Sequence, residues 1–343
     1  MVRAIRLLAL VFLAGCIDPV DIRNNEQRRH LVVEGSFTNE AELNYVRLSY
    51  SQPFSTPYNE FETKATVTVE GSDGESYPFV YDQAGYYFPI AGSEARGTPG
   101  HTYTLKIEAG GKVYQSVPTT LRVPVPIDAV HFEVGEQSYA FKGARERKLY
   151  TGYNVLVDYQ DPVEEKNYLR WTFATTYEIS TQPWEYINPM TGQPAPKDCC
   201  VRCFLSEKLD QLKVVDDRLT NGRNVLNQQV LFMPFERYLG VKNKLKVYQY
   251  SISGKAYDFF RILEQQKQST GTVFDPPPAE VRGNIYNRSD EGELVLGFFD
   301  ISGVSVKEVI ILRENINFPV PSFIFPDDCR ELPDATINAP ADW

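Results

Sequence analysis

Short runs of alternating apolar and polar residues follow one another along the first third of the chain. They are HLVVEGSF, NYVRLSYS, KATVTVEG, YPFVYD, GYYFPIA and HTYTLKIEAGGKVYQSV. Alternation with a period of two is typical of strands that bury one face, and residues that favour turns separate the runs. SDG at residues 72–74 and AGG at residues 109–111 predict two hairpin turns. The spacing of the runs predicts an immunoglobulin-like β-sandwich over residues 27–120.

A second block of strand patterns follows a proline-rich segment. This segment, VPTTLRVPVPID at residues 117–128, has three prolines and no strong pattern, so it predicts a stiff, extended linker. The runs beyond it are AVHFEVG, LYTGYNVLVDY, NYLRWTFATTYEI, QQVLFMPF, LKVYQYSIS, AEVRGNIYN, GELVLGFFDIS and KEVIILRE. Residues 121–343 are therefore predicted to form a second, larger β-domain.

One helix is predicted among these later strands. Tyr257, Phe260 and Leu263 recur at helical spacing and fall on one face. Ser253 precedes them and can act as the N-cap. The predicted fold class is therefore mainly β, with an N-terminal immunoglobulin-like sandwich followed by a larger β-domain with one packed helix.

The N-terminus has the pattern of an export signal. In MVRAIRLLALVFLAGC, two arginines precede an apolar run that is too short to span a bilayer. The small residues before Cys16 complete a bacterial lipobox, in which the cysteine thiol accepts a diacylglycerol. We predict that residues 1–15 are a lipoprotein signal peptide and that acylated Cys16 begins a lipid-anchored tether over residues 16–26. Several acyl chains on one residue exceed what stable anchoring requires.

This location decides how the remaining cysteines are interpreted. They are Cys199, Cys200, Cys203 and Cys329, and the first three lie within KDCCVRCF. Exported thiols pair into disulfides, whereas cytosolic thiols stay reduced, so an even number favours two disulfides. A four-thiolate zinc site is the alternative, but it would be expected to use paired Cys-x-x-Cys knuckles, and Cys329 stands alone. No metal and no cofactor is predicted.

Three pairings of four cysteines are possible. A bridge between the neighbours Cys199 and Cys200 is disfavoured, because it would distort the peptide bond between them. One member of the cluster is therefore expected to reach Cys329, and which member does so stays open at this point.

None of the common catalytic motifs occurs in the sequence. The histidines, His30, His101 and His131, accompany no nucleophile elbow, zinc-protease motif, phosphate loop or dinucleotide fingerprint. DPVEE at residues 161–165 and SDEGE at residues 289–293 are interpreted as loops of solvated charge. A glycosidase pair could be contributed by distant acids, but nothing in the sequence selects one. The net charge of -10 argues against a nucleic-acid partner.

A long loop carries the candidate contact residues. STQPWEYINPMTGQPAP, residues 180–196, contains Trp184 and Tyr186 among prolines, glycine and polar residues. Exposed aromatic side chains in such a loop suit contact with a ligand or partner. The alternative is that the loop packs these aromatics onto the sandwich. Trp171 and Phe173 alternate within a strand pattern and are predicted to be core.

The order of several segments resembles a known family. LVVEGSFTNE, NYLRWTFATTYEI, YDFFRILEQQ, GTVFDPPPAEVRGNIYN and ELVLGFFDIS occur in the order found in domain-of-unknown-function family 4249, outer-membrane lipoproteins of Bacteroidota. The resemblance covers nearly the whole mature chain, and GNIYN with LGFFDIS is its most specific part. It implies an outer-membrane location, and the genes of such proteins commonly lie beside those of TonB-dependent transporters of the starch-utilisation type. It brings no activity and no catalytic residue.

Asp18 and Asp21 behind the lipidated cysteine resemble a weak version of the surface-export signal used by such lipoproteins, although two acids in a solvated tether are an equally simple explanation. The sequence therefore predicts a non-enzymatic lipoprotein that acts as an accessory or ligand-binding partner of a TonB-dependent transporter. The alternatives are a surface glycan hydrolase with an unmarked carboxylate pair and a cell-surface adhesin.

Overall fold

The structure is a computed structural model that describes residues 29–52, 56, 58–141, 146–163, 166–268, 282–341 and 343. The predicted signal peptide, Cys16 and the tether lie outside these residues. Within the described part of the chain, no helix has the length and apolar character needed to cross a membrane. The fold is mainly β, as predicted.

The described residues form seventeen strands and two α-helices. The first nine strands are β1 (Leu31–Thr38), β2 (Tyr45–Tyr50), β3 (Glu60–Phe61), β4 (Thr66–Gly71), β5 (Ser76–Tyr81), β6 (Tyr86–Pro89), β7 (Thr102–Ala109), β8 (Lys112–Ser116) and β9 (Thr119–Thr120). The later strands are β10 (Ala129–Tyr139), β11 (Lys148–Gln160), β12 (Tyr168–Ser180), β13 (Arg202–Asp216), β14 (Asn224–Pro234), β15 (Lys242–Ser251), β16 (Ile285–Asn287) and β17 (Leu296–Leu312). The helices are α1 (Phe235–Tyr238) and α2 (Gly254–Gln268).

A single long strand joins the two predicted modules. The first half of β17, residues 296–302, pairs in parallel with β1, and its second half, residues 303–312, pairs antiparallel with β15. β16 pairs antiparallel with β8, also across a long sequence separation. GELVLGFFDIS and KEVIILRE are therefore one strand, and a segment near the C-terminus completes the N-terminal sheet.

The N-terminal sheet encloses its own apolar core. The core includes Val33, Phe37, Leu48, Val69, Leu105 and, from β17, Phe299 and Ile301. The predicted turn between β7 and β8 is present, because Gly110 and Gly111 both have positive φ, at 57° and 76°. Positive φ at both central residues of a two-residue turn gives a backbone twist that matches the twist of the two flanking strands.

The second core lies between two sheets. One sheet is the three-stranded β10-β11-β14, and the other is the part of the large sheet formed by β13, β12, β15 and β17. Trp171 and Phe173 of β12 are fully buried there, as predicted. The Trp171 indole Nε1–H donates a hydrogen bond to Gln249 Oε1 at 2.9 Å, so its polar atom is satisfied inside the core.

The proline-rich segment at residues 117–128 packs against the protein, which corrects its prediction as a linker. Leu121, Val125 and Ile127 are buried, and the backbone N–H of Val125 donates to Ser251 Oγ at 3.0 Å. The backbone of this segment approaches β17 so closely that a Cβ at Gly303 would lie 2.1 Å from the Arg122 carbonyl oxygen. Burial of these apolar side chains contributes to holding the segment on the sheet.

Helix α2 covers one end of the outer face of the large sheet. It begins directly after Ser253, whose Oγ accepts a hydrogen bond from the backbone N–H of Ala256 at 3.2 Å, as an N-cap does. Its Phe259 ring packs 4.8 Å from Phe298 of β17. The described part of the helix therefore shields this end of the sheet.

Candidate functional site

The cysteine cluster runs directly into a strand that the sequence patterns did not predict. β13 is paired along its length with β12 and contains Cys203, which is fully buried. Charged residues interrupt its apolar pattern in RCFLSEKLDQLKVVD, and so no run of alternation stands out. The spacing of Cys203, Leu205 and Leu209 on the buried face is the signal that could have identified it.

Cys203 is the cluster member that reaches Cys329. A disulfide joins the two residues across a sequence separation of 126, and their Cα atoms are 5.8 Å apart. Cys329 is also fully buried. This bridge ties the C-terminal tail, residues 318–343, to β13 at the edge of the large sheet.

The expectation that Cys199 and Cys200 would not pair with each other was wrong. The structure places a disulfide between them, with a cis peptide bond and a Cα separation of 3.1 Å. The expectation assumed a trans peptide, which holds neighbouring Cα atoms about 3.8 Å apart. The two bridges leave none of these four sulfurs as a thiolate, so Cys199, Cys200 and Asp328, whose ligand atoms lie within 4.8 Å, do not form a thiolate metal site in this state.

Backbone hydrogen bonds, in addition to the disulfide, hold the tail. Phe204 of β13 and Thr336 exchange two of them, at 2.7 and 3.0 Å. The Cys329 N–H donates to the Cys200 carbonyl at 3.0 Å, and the Gln182 N–H donates to the Phe325 carbonyl at 3.0 Å. The tail therefore pairs with both the strand and the long loop.

One carboxylate fixes the turn at Cys329. Hydrogen bonds from Arg330 hold the pKa of Asp328 well below its usual range. The Asp328 side chain, which is buried, also accepts the backbone N–H of Arg330 at 2.9 Å. Asp328 therefore stays ionised over the whole range of ordinary pH and caps the short helical turn formed by Cys329–Glu331.

The long loop is folded on itself. The Asn188 N–H donates to the Gln193 carbonyl and the Ala195 N–H donates to the Tyr186 carbonyl, each at 2.9 Å. Gly192 has a φ of +67°, a conformation that glycine adopts without a steric penalty. These bonds give the loop the form of a short hairpin, so its exposed side chains are presented on an ordered backbone.

The two aromatic residues that were predicted as contact residues differ in their exposure to solvent. Trp184 is 56% exposed, whereas Tyr186 is half-buried. The Lys197 ammonium lies 4.3 Å from the centre of the Tyr186 ring and forms a salt bridge of 2.6 Å with Asp327 in the tail. Tyr186 therefore helps to join loop and tail, and Trp184 is the aromatic side chain of the pair that is open to solvent.

Several large apolar side chains besides Trp184 are exposed on this part of the molecule. In the loop, Ile187 is 57% exposed and Met190 is 93% exposed. In the tail, Ile324 is 69% exposed and precedes Phe325, whose carbonyl accepts the hydrogen bond from the loop residue Gln182. We call Trp184, Ile187, Met190 and Ile324 the loop–tail surface. Clustering of such residues on one segment is typical of an interaction site, whereas single exposed apolar residues are ordinary.

The three histidines each interact locally. His101 pairs with Asp73 at 2.6 Å and His131 pairs with Asp158 at 2.7 Å, both at the surface. His30 Nδ1 lies 3.0 Å from the carbonyl oxygen of Leu294. These three positions lie on different strands or turns and do not combine with one another.

One carboxylate, Asp161, behaves differently from the sequence interpretation. Asp161, assigned to a solvated loop, is only 2% exposed, and its Oδ2 atom has no hydrogen-bond partner. Burial raises the pKa of Asp161, and the nearby charge of Asp217 raises it further. Asp217 is also buried and accepts the backbone N–H of Asn167 at 2.6 Å. The charge run at 161–165 is thus partly internal, and its residues 164–165 lie outside the described part of the chain.

The surface cavities of the described residues include three that could hold a small ligand. The first, of about 340 Å³, lies on the outer face of β13, β12 and β15. The second, of about 720 Å³, lies beside Trp343, and the third, of about 410 Å³, lies beside α2. Neither Asp161 nor Asp217 lines any of these three.

The comparisons with known proteins identify a family. A model of the family described as Domain of unknown function (DUF4249) matches residues 17–308. The matched range starts directly behind Cys16 and ends within β17, so that the tail with Cys329 lies beyond it. A search of curated proteins returns no match.

Proposed function

The chain belongs to the DUF4249 family, and from this premise we propose that it is a non-catalytic, lipid-anchored accessory protein of the outer membrane. Cys16 carries the anchor, the chain faces the cell surface, and its partner is a TonB-dependent transporter. The loop–tail surface is the part of the chain that contacts this partner.

The exposed apolar side chains on an ordered loop are the observation that supports this proposal. Trp184, Ile187 and Met190 lie within a few residues of one another, each more than half exposed. Burying a side chain of this size in an interface contributes about 1.5–3 kcal/mol. Tryptophan is also enriched among the residues that dominate binding energy, and methionine adapts to irregular partner surfaces.

The cross-links make the surface suitable for binding. The hairpin hydrogen bonds, the Cys203–Cys329 bridge and the Lys197–Asp327 salt bridge order the loop and the tail before any partner arrives. A preordered surface loses less conformational entropy on association, which strengthens binding without additional contacts.

The hydrolase alternative receives less support. Glycosidases of both stereochemical types place two carboxyl groups about 5–9.5 Å apart around a substrate cleft. Asp161 and Asp217 are both buried, and the charge of Asp217 raises the pKa of Asp161, but neither residue lines any of the three cavities. The proposal therefore assigns no catalytic residue.

A pull-down tests the proposal on the full lipoprotein. The chain is captured from detergent-solubilised outer membrane, and its partners are identified by mass spectrometry. The test variant carries Trp184→Ser, Ile187→Ser and Met190→Ser, and the control carries Leu219→Ser and Leu226→Ser, which are 86% and 62% exposed elsewhere.

We expect a TonB-dependent transporter with the wild-type chain and the control, and its loss with the test variant. Repeated capture without any transporter would count against the proposal. Retention of the transporter by the triple variant would show that another surface binds it. Capture of host or matrix proteins in place of a transporter would favour the adhesin alternative.

A further inference from the structure

Lysines occupy alternate positions along β15. Lys242, Lys244 and Lys246 alternate with Asn243 and Leu245, which are buried on the core side of the strand. Side chains two positions apart in a strand point to the same face, so the three lysines share the outer face of the sheet. The chain as a whole carries a net charge of -10, so this concentration of positive charge contrasts with its composition.

The strand register builds a depression beside this row. Lys246 is paired with Ala174 of β12, and Ala174 is paired on its other side with Lys208 of β13. Neighbouring strands are about 4.8 Å apart, which puts the two lysine backbones about 10 Å apart across the small alanine. The first cavity, of about 340 Å³, lies here.

Hydroxyl groups lie beside the alanine. The next row of the sheet contains Thr176 and Ser206, whose hydroxyl oxygens are 2.8 Å apart. Tyr248 also lines the cavity. The depression is therefore lined by three lysines, Lys208, Lys244 and Lys246, together with the hydroxyl residues Thr175, Thr176 and Ser206 and the phenol of Tyr248. Hydroxyl groups can both donate and accept hydrogen bonds, whereas ammonium groups only donate.

Three lysines and one glutamate line the cavity. A second glutamate, Glu308, lies 3.2 Å from Lys244 and 3.8 Å from Lys246. Glu207 also lines the cavity, but it accepts the Tyr177 hydroxyl and lies 3.6 Å from Arg237. Lys208 forms no ion pair with the residues that the structure describes and is exposed to solvent.

We propose that this groove, defined by Ala174, Thr176, Ser206, Lys208 and Lys246, binds an anionic saccharide, with a carboxylate or sulfate group held between the two lysines. β12 is hydrogen-bonded on both sides, so its backbone is not open for strand addition by a peptide. Recognition must use the side chains, and their hydroxyl and ammonium groups suit a ligand rich in hydroxyls that carries negative charge. The volume lies at the small end of the ~300–1,000 Å³ found for ligand pockets.

The proposal is independent of the transporter contact, because the groove and the loop–tail surface share no residue. It is tested by calorimetric titration of the detergent-solubilised full-length lipoprotein. The probes are short oligogalacturonates and chondroitin sulfate oligosaccharides, with uncharged cello-oligosaccharides of matched length and poly-glutamate as comparisons.

The variants are Lys208→Gln with Lys246→Gln, and Ala174→Leu, which fills the depression without changing charge. Lys64→Gln is the matched control, because Lys64 is exposed within the N-terminal module, away from the groove. We expect an anionic oligosaccharide to bind at least about tenfold more tightly than its neutral counterpart, with affinity falling as salt is added. The double lysine variant and Ala174→Leu should each lose about tenfold or more, and Lys64→Gln should bind like the wild type.

Absence of binding by both kinds of anionic saccharide would overturn the proposal. Equal binding of neutral chains would exclude recognition of charge, and tighter binding of poly-glutamate would assign the groove to an acidic peptide. An equal loss in Lys64→Gln and the double variant would show a diffuse electrostatic effect instead of a site.

Discussion

Removal of the Cys203–Cys329 bridge should release the loop and the tail while leaving the N-terminal sheet intact. The perturbation is Cys203→Ala with Cys329→Ala, which preserves apolar character at two fully buried positions. In the chain-entropy model, a bridge with a separation of 126 residues stabilises the folded state by about 5 kcal/mol. Much of that stabilisation is expected to be lost.

The loss of structure should be confined to the loop and the tail, because the contacts that remain without the bridge hold the tail only weakly. Four backbone hydrogen bonds join it to residues 182, 200 and 204. Each contributes a net ~0.5–1.5 kcal/mol, whereas ordering each residue of the tail costs about 1–2 kcal/mol. The tail then depends on its apolar contacts, and opening becomes accessible without global unfolding.

Hydrogen exchange measured by mass spectrometry is the assay. Protection should fall in residues 181–204 and 318–343 and stay unchanged in β1–β8. Cys199→Ala with Cys200→Ala is the matched control, because that bridge closes almost no loop and should contribute little chain entropy. A uniform loss of protection that includes β1–β8, or no loss at all, would refute the reasoning, and so would the absence of a peptide containing Cys329 joined to one containing Cys203 in the non-reduced digest.

Three further predictions concern the anchor, the core and a buried acid. Cys16→Ala should abolish lipid labelling and release the chain from the membrane fraction; a variant that stays in that fraction without lipid would contradict the predicted anchor. Trp171→Ala should lower the free energy of unfolding by about 3–5 kcal/mol in denaturant titration, whereas Trp184→Ala should change it by less than about 0.5 kcal/mol, since the first is buried and the second is exposed. Asp161→Asn should stabilise the chain at neutral pH. The folded pKa of Asp161 is raised, so the wild type has its full stability below the unfolded pKa of about 3.9 and loses part of it as the pH rises through the folded value. The advantage of Asp161→Asn should therefore vanish near pH 3 in urea titrations, and an advantage that is independent of pH would contradict the assignment.

Local patterns in the sequence predicted most strands because a half-buried strand must alternate. The turn at Gly110 and Gly111, the cap at Ser253 and the burial of Trp171 followed from chemistry within a few residues. The groove could also have been suggested by the alternating lysines of KNKLK, although only the register shows that Ala174 and Lys208 complete it.

Features that depend on distant pairing could not be predicted in this way. The division of β17 between two neighbours, the choice of Cys203 as the partner of Cys329 and the burial of Asp161 are set by which segments meet in space. Residues 117–128 illustrate the same limit. Prolines indicate an extended backbone, but they do not tell whether Leu121 and Val125 face solvent or the sheet.

Site-specific photo-crosslinking in the native outer membrane tests the central claim most directly. A benzophenone side chain replaces Met190, which is 93% exposed on the loop–tail surface, and in a parallel strain it replaces Leu219, which is 86% exposed on another loop. We expect a light-dependent adduct between the Met190 position and a TonB-dependent transporter, with none from the Leu219 position. An adduct with the transporter from Leu219 but not from Met190, or no transporter adduct from either position, would contradict the central claim.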